Sequence, residues 1–146
     1  MSLPPETATP LSQGSEPVRT LRRLLEEAVT LRVTNIPRRG RESGSETPDI
    51  RVAVLFSGGL DCTVLARLAS DAMPQDQGID LVNVAFENPR LASRVPNGAS
   101  DIYEACPDRI TGRSSFAELR RVCPERAWRF IAVCAPSHLF QPEETN

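Results

Sequence analysis

The apolar and polar residues of this chain follow two patterns, one typical of helices and one typical of buried strands. Between residues 17 and 29 the apolar positions recur every three or four residues, which predicts an amphipathic helix that begins near Pro17. Residues 50–56 and 79–86 are continuous apolar runs, as expected of parallel strands that are covered on both faces. Residues 128–133 predict a third strand.

The segments between these strands predict the connections of an α/β fold. Apolar residues at helical spacing from residue 62 to residue 72 predict a helix, which Pro74 ends. Strand, helix and strand then form a βαβ unit, whose two strands lie parallel in one sheet. We also predict a long connection over residues 87–113, followed by a helix that begins at a capping box of Ser115 and Glu118.

The chain has the length of one domain. A chain of 146 residues can bury a sizeable core, but it has no room for a second full domain. Residues 1–16 are rich in Pro, Ser, Thr and Glu without an apolar face, so we predict a disordered tail there. We assign residues 17–146 to one partial domain, with a polar surface loop at residues 38–49.

Charge and composition narrow the classes of partner. The formal net charge is −2, and the 17 basic residues are mostly interspersed with acidic ones, so we expect no nucleic-acid binding. No apolar run approaches the length of a membrane span, and the first residues do not resemble a signal peptide. We therefore expect a cytoplasmic protein without a membrane partner. Its four cysteines include no Cys-x-x-Cys pair, and we interpret them as reduced thiols.

One segment is a candidate ligand-binding site. Residues 57–62, Ser-Gly-Gly-Leu-Asp-Cys, lie between the first predicted strand and its helix, and we call them the glycine turn. Ligands of open α/β sheets bind at the carboxyl ends of the strands, where this turn is expected. Two adjacent glycines allow a ligand to approach the backbone closely, and their N–H groups together with the helix N-terminus favour a bound anion. The sequence therefore predicts a phosphate site.

The two polar side chains of the turn have different predicted roles. Ser57 can add a hydroxyl hydrogen bond to phosphate. Asp61 would repel phosphate unless Mg²⁺ lay between them, so we predict that Asp61 contributes to a magnesium site. The Walker and dinucleotide motifs are excluded, because neither Gly-x-x-x-x-Gly-Lys-Ser/Thr nor Gly-x-Gly-x-x-Gly follows the strand. One alternative stays open, in which the two glycines only turn the chain.

Several segments resemble a known enzyme family. Ser-Gly-Gly-x-Asp-Ser after a buried strand is the signature of the PP-loop ATP pyrophosphatases, and the glycine turn is similar to it. Residues 25–32, Leu-Glu-Glu-Ala-Val-Thr-Leu-Arg, resemble the helix that leads into this loop in asparagine synthetases. Residues 106–120 and 126–131 resemble asparagine synthetase-like proteins of vertebrates. The resemblance covers roughly residues 18–145 and implies an incomplete α/β fold of the three-layer, parallel-sheet PP-loop type, Rossmann-like and adenine nucleotide alpha hydrolase-like.

This resemblance also implies a reaction and its ligands. In asparagine synthetases the β-carboxylate of aspartate attacks the α-phosphate of ATP and releases pyrophosphate, and ammonia, drawn from glutamine, then displaces AMP. The implied cofactors are ATP and Mg²⁺. Residues of the glycine turn would hold the pyrophosphate and its Mg²⁺, namely Ser57, Gly58, Gly59, Asp61 and Cys62. Leu55 and Val84, near the ends of the first two strands, would contact the adenosine through backbone groups.

The sequence departs from the family pattern at several points. Cys62 replaces the final serine of the motif, and because a thiol is a weaker donor than a hydroxyl, we expect one phosphate contact to weaken. We interpret Cys62 as a serine replacement in preference to a reactive thiol. The chain contains neither the glutaminase domain nor the second phosphate loop, Ser-Gly-x-Gly-Ala-Asp-Glu. We therefore expect a fragment or isoform that is inactive alone, and we assign no catalytic residue.

Two alternatives to an asparagine synthetase-like ligase remain. One is a catalytically degenerate nucleotide-binding or interaction module, and the other is a different PP-loop amide ligase. Asp108, Arg109 and Arg113 could contact phosphate from a loop, but we prefer surface ion pairing for them. His138 is the only histidine, and we interpret it as a surface residue.

Overall fold

The computed structural model describes residues 10–37, 49–87 and 99–136 of the chain. Predictions that fall on residues 1–9, 38–48, 88–98 and 137–146, including His138, lie outside the described residues. The helices are α1 (Glu16–Val33), α2 (Leu60–Ala72), α3 (Ala99–Glu104) and α4 (Pro107–Val122). The strands are β1 (Asp49–Leu55), β2 (Gln77–Phe86) and β3 (Trp128–Ala135).

The three strands form one parallel sheet in the order β1-β2-β3. Residue pairs such as Val54 with Leu81, and Leu81 with Phe130, set the register across the sheet. The register shifts between Ile50 and Val52, where β1 carries an irregularity. The predicted α/β, Rossmann-like fold is thereby confirmed for the part of the chain that the structure describes.

The core lies between the sheet and the helices. Ala66 and Ala69 of α2 and Leu119 of α4 pack in the same cluster as Ile79 and Leu81 of β2. Because α2 and α4 also contact each other, both lie on the same face of the sheet. Two consecutive right-handed βαβ crossovers that run in one direction place their helices on one side, which explains this arrangement.

The opposite face of the sheet is largely uncovered by the described residues. Side chains that alternate with the core positions are half-buried or exposed, namely Leu55, Val82, Val84, Ile131 and Val133. The prediction that the apolar runs are covered on both faces was therefore wrong for these residues. An apolar run indicates a strand of a parallel sheet, but it does not indicate how many of the covering layers a given stretch of chain supplies.

Arg126, just before β3, holds the C-terminal end of α2. Its side chain is 4% exposed and donates hydrogen bonds to four backbone carbonyls, those of Ser70, Met73, Pro74 and Gln77. The last carbonyls of a helix have no partner within the helix, so this guanidinium satisfies groups that burial would otherwise leave unpaired. Burial lowers the pKa of Arg126 from its ordinary value.

The structure corrects the prediction for residues 87–113. Residues 99–113 contain α3 and the first part of α4 instead of a connection. Helix α4 begins at Pro107, with Cys106 as its N-cap residue, so Ser115 lies inside the helix and does not cap it. Proline at the first helical position and Asp108 in the first turn are ordinary start signals, and they could have identified this helix.

None of the helices in the described ranges combines the length and the apolar character that crossing a bilayer requires. The four cysteines, Cys62, Cys106, Cys123 and Cys134, are free thiols.

Candidate functional site

The glycine turn starts at the carboxyl end of β1. Phe56 is buried, and its N–H donates to Val82 O at 2.8 Å, which extends the pairing with β2 beyond the end of β1. Gly58 has φ +86°, in the left-handed region that residues with a Cβ rarely adopt. The buried strand thus fixes the start of the turn, and Gly58 reverses the chain toward α2.

Gly58 is packed directly against the backbone of α4. A Cβ built on Gly58 would lie 2.5 Å from Gly112 Cα and closer still to Gly112 N and the carbonyl carbon of Thr111. Gly112 itself leaves no room for a side chain, because its Cβ would lie 2.5 Å from Nδ2 of Asn83. Glycine at position 58 therefore allows the turn to touch the backbone of α4, and glycine at position 112 leaves room for the Asn83 amide.

Gly59 is the N-cap residue of α2, and no side chain caps the helix. Among the residues that the structure describes, no side chain accepts from the first N–H groups of α2, and Ser57, Gly59, Leu60 and Asp61 are all exposed. The N-terminus of a helix carries a partial positive charge and unpaired N–H donors, both of which favour an anion. The exposed start of α2 and the glycine turn therefore form a surface suited to phosphate.

Asp61 and Cys62 occupy the first turn of α2 and differ in their surroundings. The Asp61 carboxylate is exposed, and the residues described contain no cluster of His, Cys, Asp or Glu able to hold a metal ion. The half-buried Cys62 thiol donates to Gly59 O at 3.3 Å, and its Sγ lies 3.6 Å from Oγ of Ser57. Cys62 is therefore engaged with the turn's own backbone.

Asn83 is a buried residue of this site that sequence reasoning missed. Its Nδ2 donates to Phe56 O at 2.8 Å and to Asp108 O at 2.9 Å, which connects β2, the start of the glycine turn and α4. Ser115, the second missed residue, donates its hydroxyl to Gly58 O at 2.7 Å. Asparagine within an apolar strand was the available signal, since a buried amide needs partners.

The prediction of surface ion pairing is only partly right for Arg109: its Nε lies 3.6 Å from the Glu104 carboxylate, but Arg109 is not a surface residue. Its side chain is completely buried, and Nη2 donates to Val133 O at 2.9 Å. Nη1 lies 3.5 Å from Asn83 O, so the guanidinium joins α4 to β2 and β3. A buried cation that donates to strand carbonyls docks the helix on the sheet and is not free to meet phosphate.

Arg113 follows the prediction. It is exposed and forms two hydrogen bonds with the Glu104 carboxylate, at 2.6 and 2.8 Å. The surface ion pair is confirmed for this residue. The bonds from Arg113 hold the pKa of the Glu104 carboxyl below its ordinary value, and partial burial of the carboxyl opposes this effect.

Leu55 and Val84 lie on the uncovered face of the sheet. Leu55 is the last residue of β1 and is 79% exposed, and it pairs with Val82 in the register. Val84 is half-buried two residues further along β2, which continues to Phe86. The structure thus brings both residues to one face beside the glycine turn, and their contact with adenosine stays a prediction.

Several curated proteins are similar in sequence to much of this chain. An asparagine synthetase domain-containing protein of Drosophila melanogaster is 42% identical over 83 residues, which cover 57% of this chain and 14% of the relative. Asparagine synthetase domain-containing protein 1 of Homo sapiens is 34% identical over 142 residues, covering 75% of this chain and 22% of the relative. A Saccharomyces cerevisiae relative with the same domain name is 30% identical, covering 84% of this chain and 22% of the relative.

The chain belongs to the asparagine synthetase domain-containing proteins. It spans between 14% and 22% of the length of these three relatives. No protein-family model matches the chain. No solved structure matches it either. Because of their similarity to these relatives, we assign the described residues to an asparagine synthetase-like domain. The glycine turn is its candidate functional site.

Proposed function

We propose that the glycine turn binds the phosphate groups of ATP with Mg²⁺, and that this nucleotide site serves the amidation of aspartate in this family. The observation that carries the proposal is the junction between β1 and α2. There Gly58 takes φ +86°, and the exposed turn leads into a helix whose N-terminus has no side-chain cap. A strand, a glycine turn and an open helix N-terminus are the arrangement in which α/β proteins bind phosphate.

The donors of the turn fit a phosphate group. Within the described residues, the N–H groups of Ser57 and Gly58 donate to no backbone acceptor, and the exposed Ser57 hydroxyl can supply a further donor. Gly59 N lies 3.4 Å from Oγ of Ser57, a long contact that phosphate could replace. We assign these three residues to the pyrophosphate part of ATP.

Asp61 fits a role next to Mg²⁺. Mg²⁺ is usually held by one or two carboxylates together with phosphate oxygens and water, so a single exposed carboxylate in the first turn of α2 is a sufficient protein contribution. When bound, the ion would neutralise negative charge on the phosphates. Cys62 stays within the turn through its bond to Gly59 O.

The proposed chemistry follows from the family resemblance. The β-carboxylate of aspartate forms a bond to the α-phosphorus of ATP, and pyrophosphate leaves. Ammonia, from solution or from glutamine, then attacks the activated carboxyl carbon and displaces AMP. The N–H groups of the turn would stabilise the charge that develops on the leaving pyrophosphate. Leu55 and Val84 would contact adenosine through their backbone groups from the uncovered face of the sheet.

A second candidate is a module that binds nucleotide without turnover. Cys62 favours it, because its thiol donates to Gly59 O and a thiol is a weaker donor to phosphate than the serine hydroxyl of the family motif. Aspartate-dependent exchange of labelled pyrophosphate into ATP separates the candidates. Exchange supports the ligase, whereas ATP binding without exchange supports the binding module.

Calorimetric titration of the chain with MgATP tests the site itself. We expect Asp61→Asn to weaken binding by about tenfold or more, because an interaction with a charged group is lost. When Mg²⁺ is omitted we expect Asp61→Asn to bind ATP at least as tightly as wild type, because the carboxylate then only repels phosphate. Asp71→Asn is the matched control, since Asp71 is exposed in the last turns of the same helix and pairs with Arg67. Equal affinity of wild type and Asp61→Asn would contradict the magnesium role, and absence of binding would reject the site.

A further inference from the structure

Two hydrogen bonds fix alternate peptide groups of the glycine turn. Nδ2 of Asn83 holds Phe56 O at 2.8 Å, and the hydroxyl of Ser115 holds Gly58 O at 2.7 Å. Asn83 is completely buried, and the Ser115 bond joins residues 57 positions apart in the chain. The carbonyls of Phe56, just before the turn, and of Gly58, within it, are thus held by side chains of other elements.

Fixing a carbonyl also fixes the N–H group of the same peptide bond. A trans peptide is planar, and its C=O and N–H point in opposite directions. There are no cis peptide bonds in the described residues. With Phe56 O held by Asn83 and Gly58 O held by Ser115, the N–H groups of Ser57 and Gly59 point away from these anchors.

We propose that Asn83 and Ser115 are positioning residues that orient the Ser57 and Gly59 N–H groups toward bound phosphate. This inference rests on the proposed function of the glycine turn and adds α4 to the nucleotide site. Neither residue touches the ligand. Each acts through the peptide group that it holds.

The surroundings of the two anchors make them rigid. Nδ2 of Asn83 also donates to Asp108 O at 2.9 Å, so both of its amide hydrogens are used and the orientation of the side chain is determined. Arg109, completely buried, ties the same end of α4 to Val133 O of β3. The direct contact between Gly58 and Gly112 leaves the turn no space to move toward the helix.

A preorganised turn is expected to bind phosphate more tightly than a loose one. In a loose turn the two N–H groups must be ordered when the ligand arrives, and that ordering reduces affinity. The loss of one anchoring hydrogen bond therefore appears in the affinity for ATP as well as in the stability of the fold. The hydroxyl of Ser115 can be removed with little loss of volume, which makes it the better residue to test.

The test compares Ser115→Ala with Ser114→Ala in the full chain. Ser114 is exposed on the same helix and forms no side-chain hydrogen bond with the described residues, so it is a matched control. We expect Ser115→Ala to weaken MgATP binding roughly three- to tenfold, the size of one lost hydrogen bond, and Ser115→Thr to restore most of the affinity. Ser114→Ala should bind MgATP like wild type. Equal affinity of Ser115→Ala and wild type, with both folded, would overturn the proposal.

A second measurement uses the protein without nucleotide. The amide signal of Gly59 in proton–nitrogen NMR spectra, and its hydrogen-exchange rate, report on the same peptide group directly. We expect Ser115→Ala to move this signal and to speed its exchange, while Ser114→Ala leaves both unchanged. If the wild-type chain does not bind MgATP, the proposed function fails, and this measurement alone decides the positioning role: an unchanged Gly59 amide overturns it. A urea unfolding curve for each variant shows whether a weaker affinity only reflects partial unfolding.

Discussion

Replacement of Arg126 by methionine should remove a large part of the stability of this chain. Methionine keeps the unbranched apolar stem of the side chain but supplies no donor. The four carbonyls that Arg126 serves, those of Ser70, Met73, Pro74 and Gln77, would then be left without it. Because these acceptors surround a side chain that is only 4% exposed, water cannot readily replace the guanidinium.

The size of the effect follows from the number and kind of the lost bonds. A hydrogen bond to a charged group contributes about 1.5–3 kcal/mol, and bonds that share one side chain do not add fully. Burial of the guanidinium, which lowers the pKa of Arg126, offsets part of the gain. We therefore expect Arg126→Met to lower the free energy of unfolding by about 3–5 kcal/mol, against about 5–15 kcal/mol for a typical domain.

Urea unfolding followed by the fluorescence of Trp128 measures this loss. Trp128 is half-buried and donates its indole N–H to Cys123 O at 3.2 Å, so its environment changes on unfolding. With a urea dependence of about 1–3 kcal/mol per molar, the midpoint should fall by about 2 M. Arg121→Met is the control, because Arg121 is 75% exposed and should change stability by less than about 0.5 kcal/mol. A loss below about 1 kcal/mol for Arg126→Met would refute the capping role.

Two further predictions concern the glycine turn and the surface ion pair. Gly58→Ala should lower the free energy of unfolding by about 2–4 kcal/mol and abolish MgATP binding, because φ +86° disfavours a Cβ and the new atom would meet the backbone of Gly112. Gly59→Ala, whose Cβ would meet only Oγ of Ser57 at 3.6 Å, is the control in the same urea titration, and an equal loss in both variants would contradict the argument. The pKa of Glu104 lies below its ordinary value of 4.5, so the stabilisation from its pair with Arg113 is present above that pH and is lost as the pH falls through the lower folded-state value. Unfolding curves of wild type and Glu104→Gln should therefore differ at pH 7 and converge at the acidic end, and a constant difference over this range would be inconsistent with the pair.

The parts of the fold that were predicted are those with a strong local pattern. The two long apolar runs became β1 and β2 within one or two residues of the predicted bounds, and Pro74 lies just beyond the end of α2 as expected. The glycine turn is recognisable in the sequence because a strand pattern precedes it and a helix pattern follows it. In each case residues that are close in sequence determine the local structure, so the amino-acid sequence alone predicts it.

The parts that were not predicted depend on contacts between distant segments. Helix α4 contains Thr111, Gly112 and several charged residues, so its apolar pattern is weak, and packing against β2 and β3 stabilises it. The sequence does not distinguish the buried Arg109 from the exposed Arg113, because the difference arises from the carbonyls of β2 and β3. The sequence around Ser115 is typical of a helix start. In the structure Ser115 lies inside α4, and its hydroxyl donates to Gly58 O, which is distant in sequence. The roles of Leu55, Val84 and Asp61 stay predictions, as do ATP and Mg²⁺.

The contact between Gly58 and Gly112 also constrains how proteins of this family can diverge. When two side chains touch, a larger residue at one position can be compensated by a smaller one at the other. No such exchange exists here, because the atoms that a Cβ on Gly58 would meet are main-chain atoms present in every amino acid. A residue other than glycine at position 58 therefore requires the backbone of α4 to move away from the turn, so this one position constrains where the helix can lie.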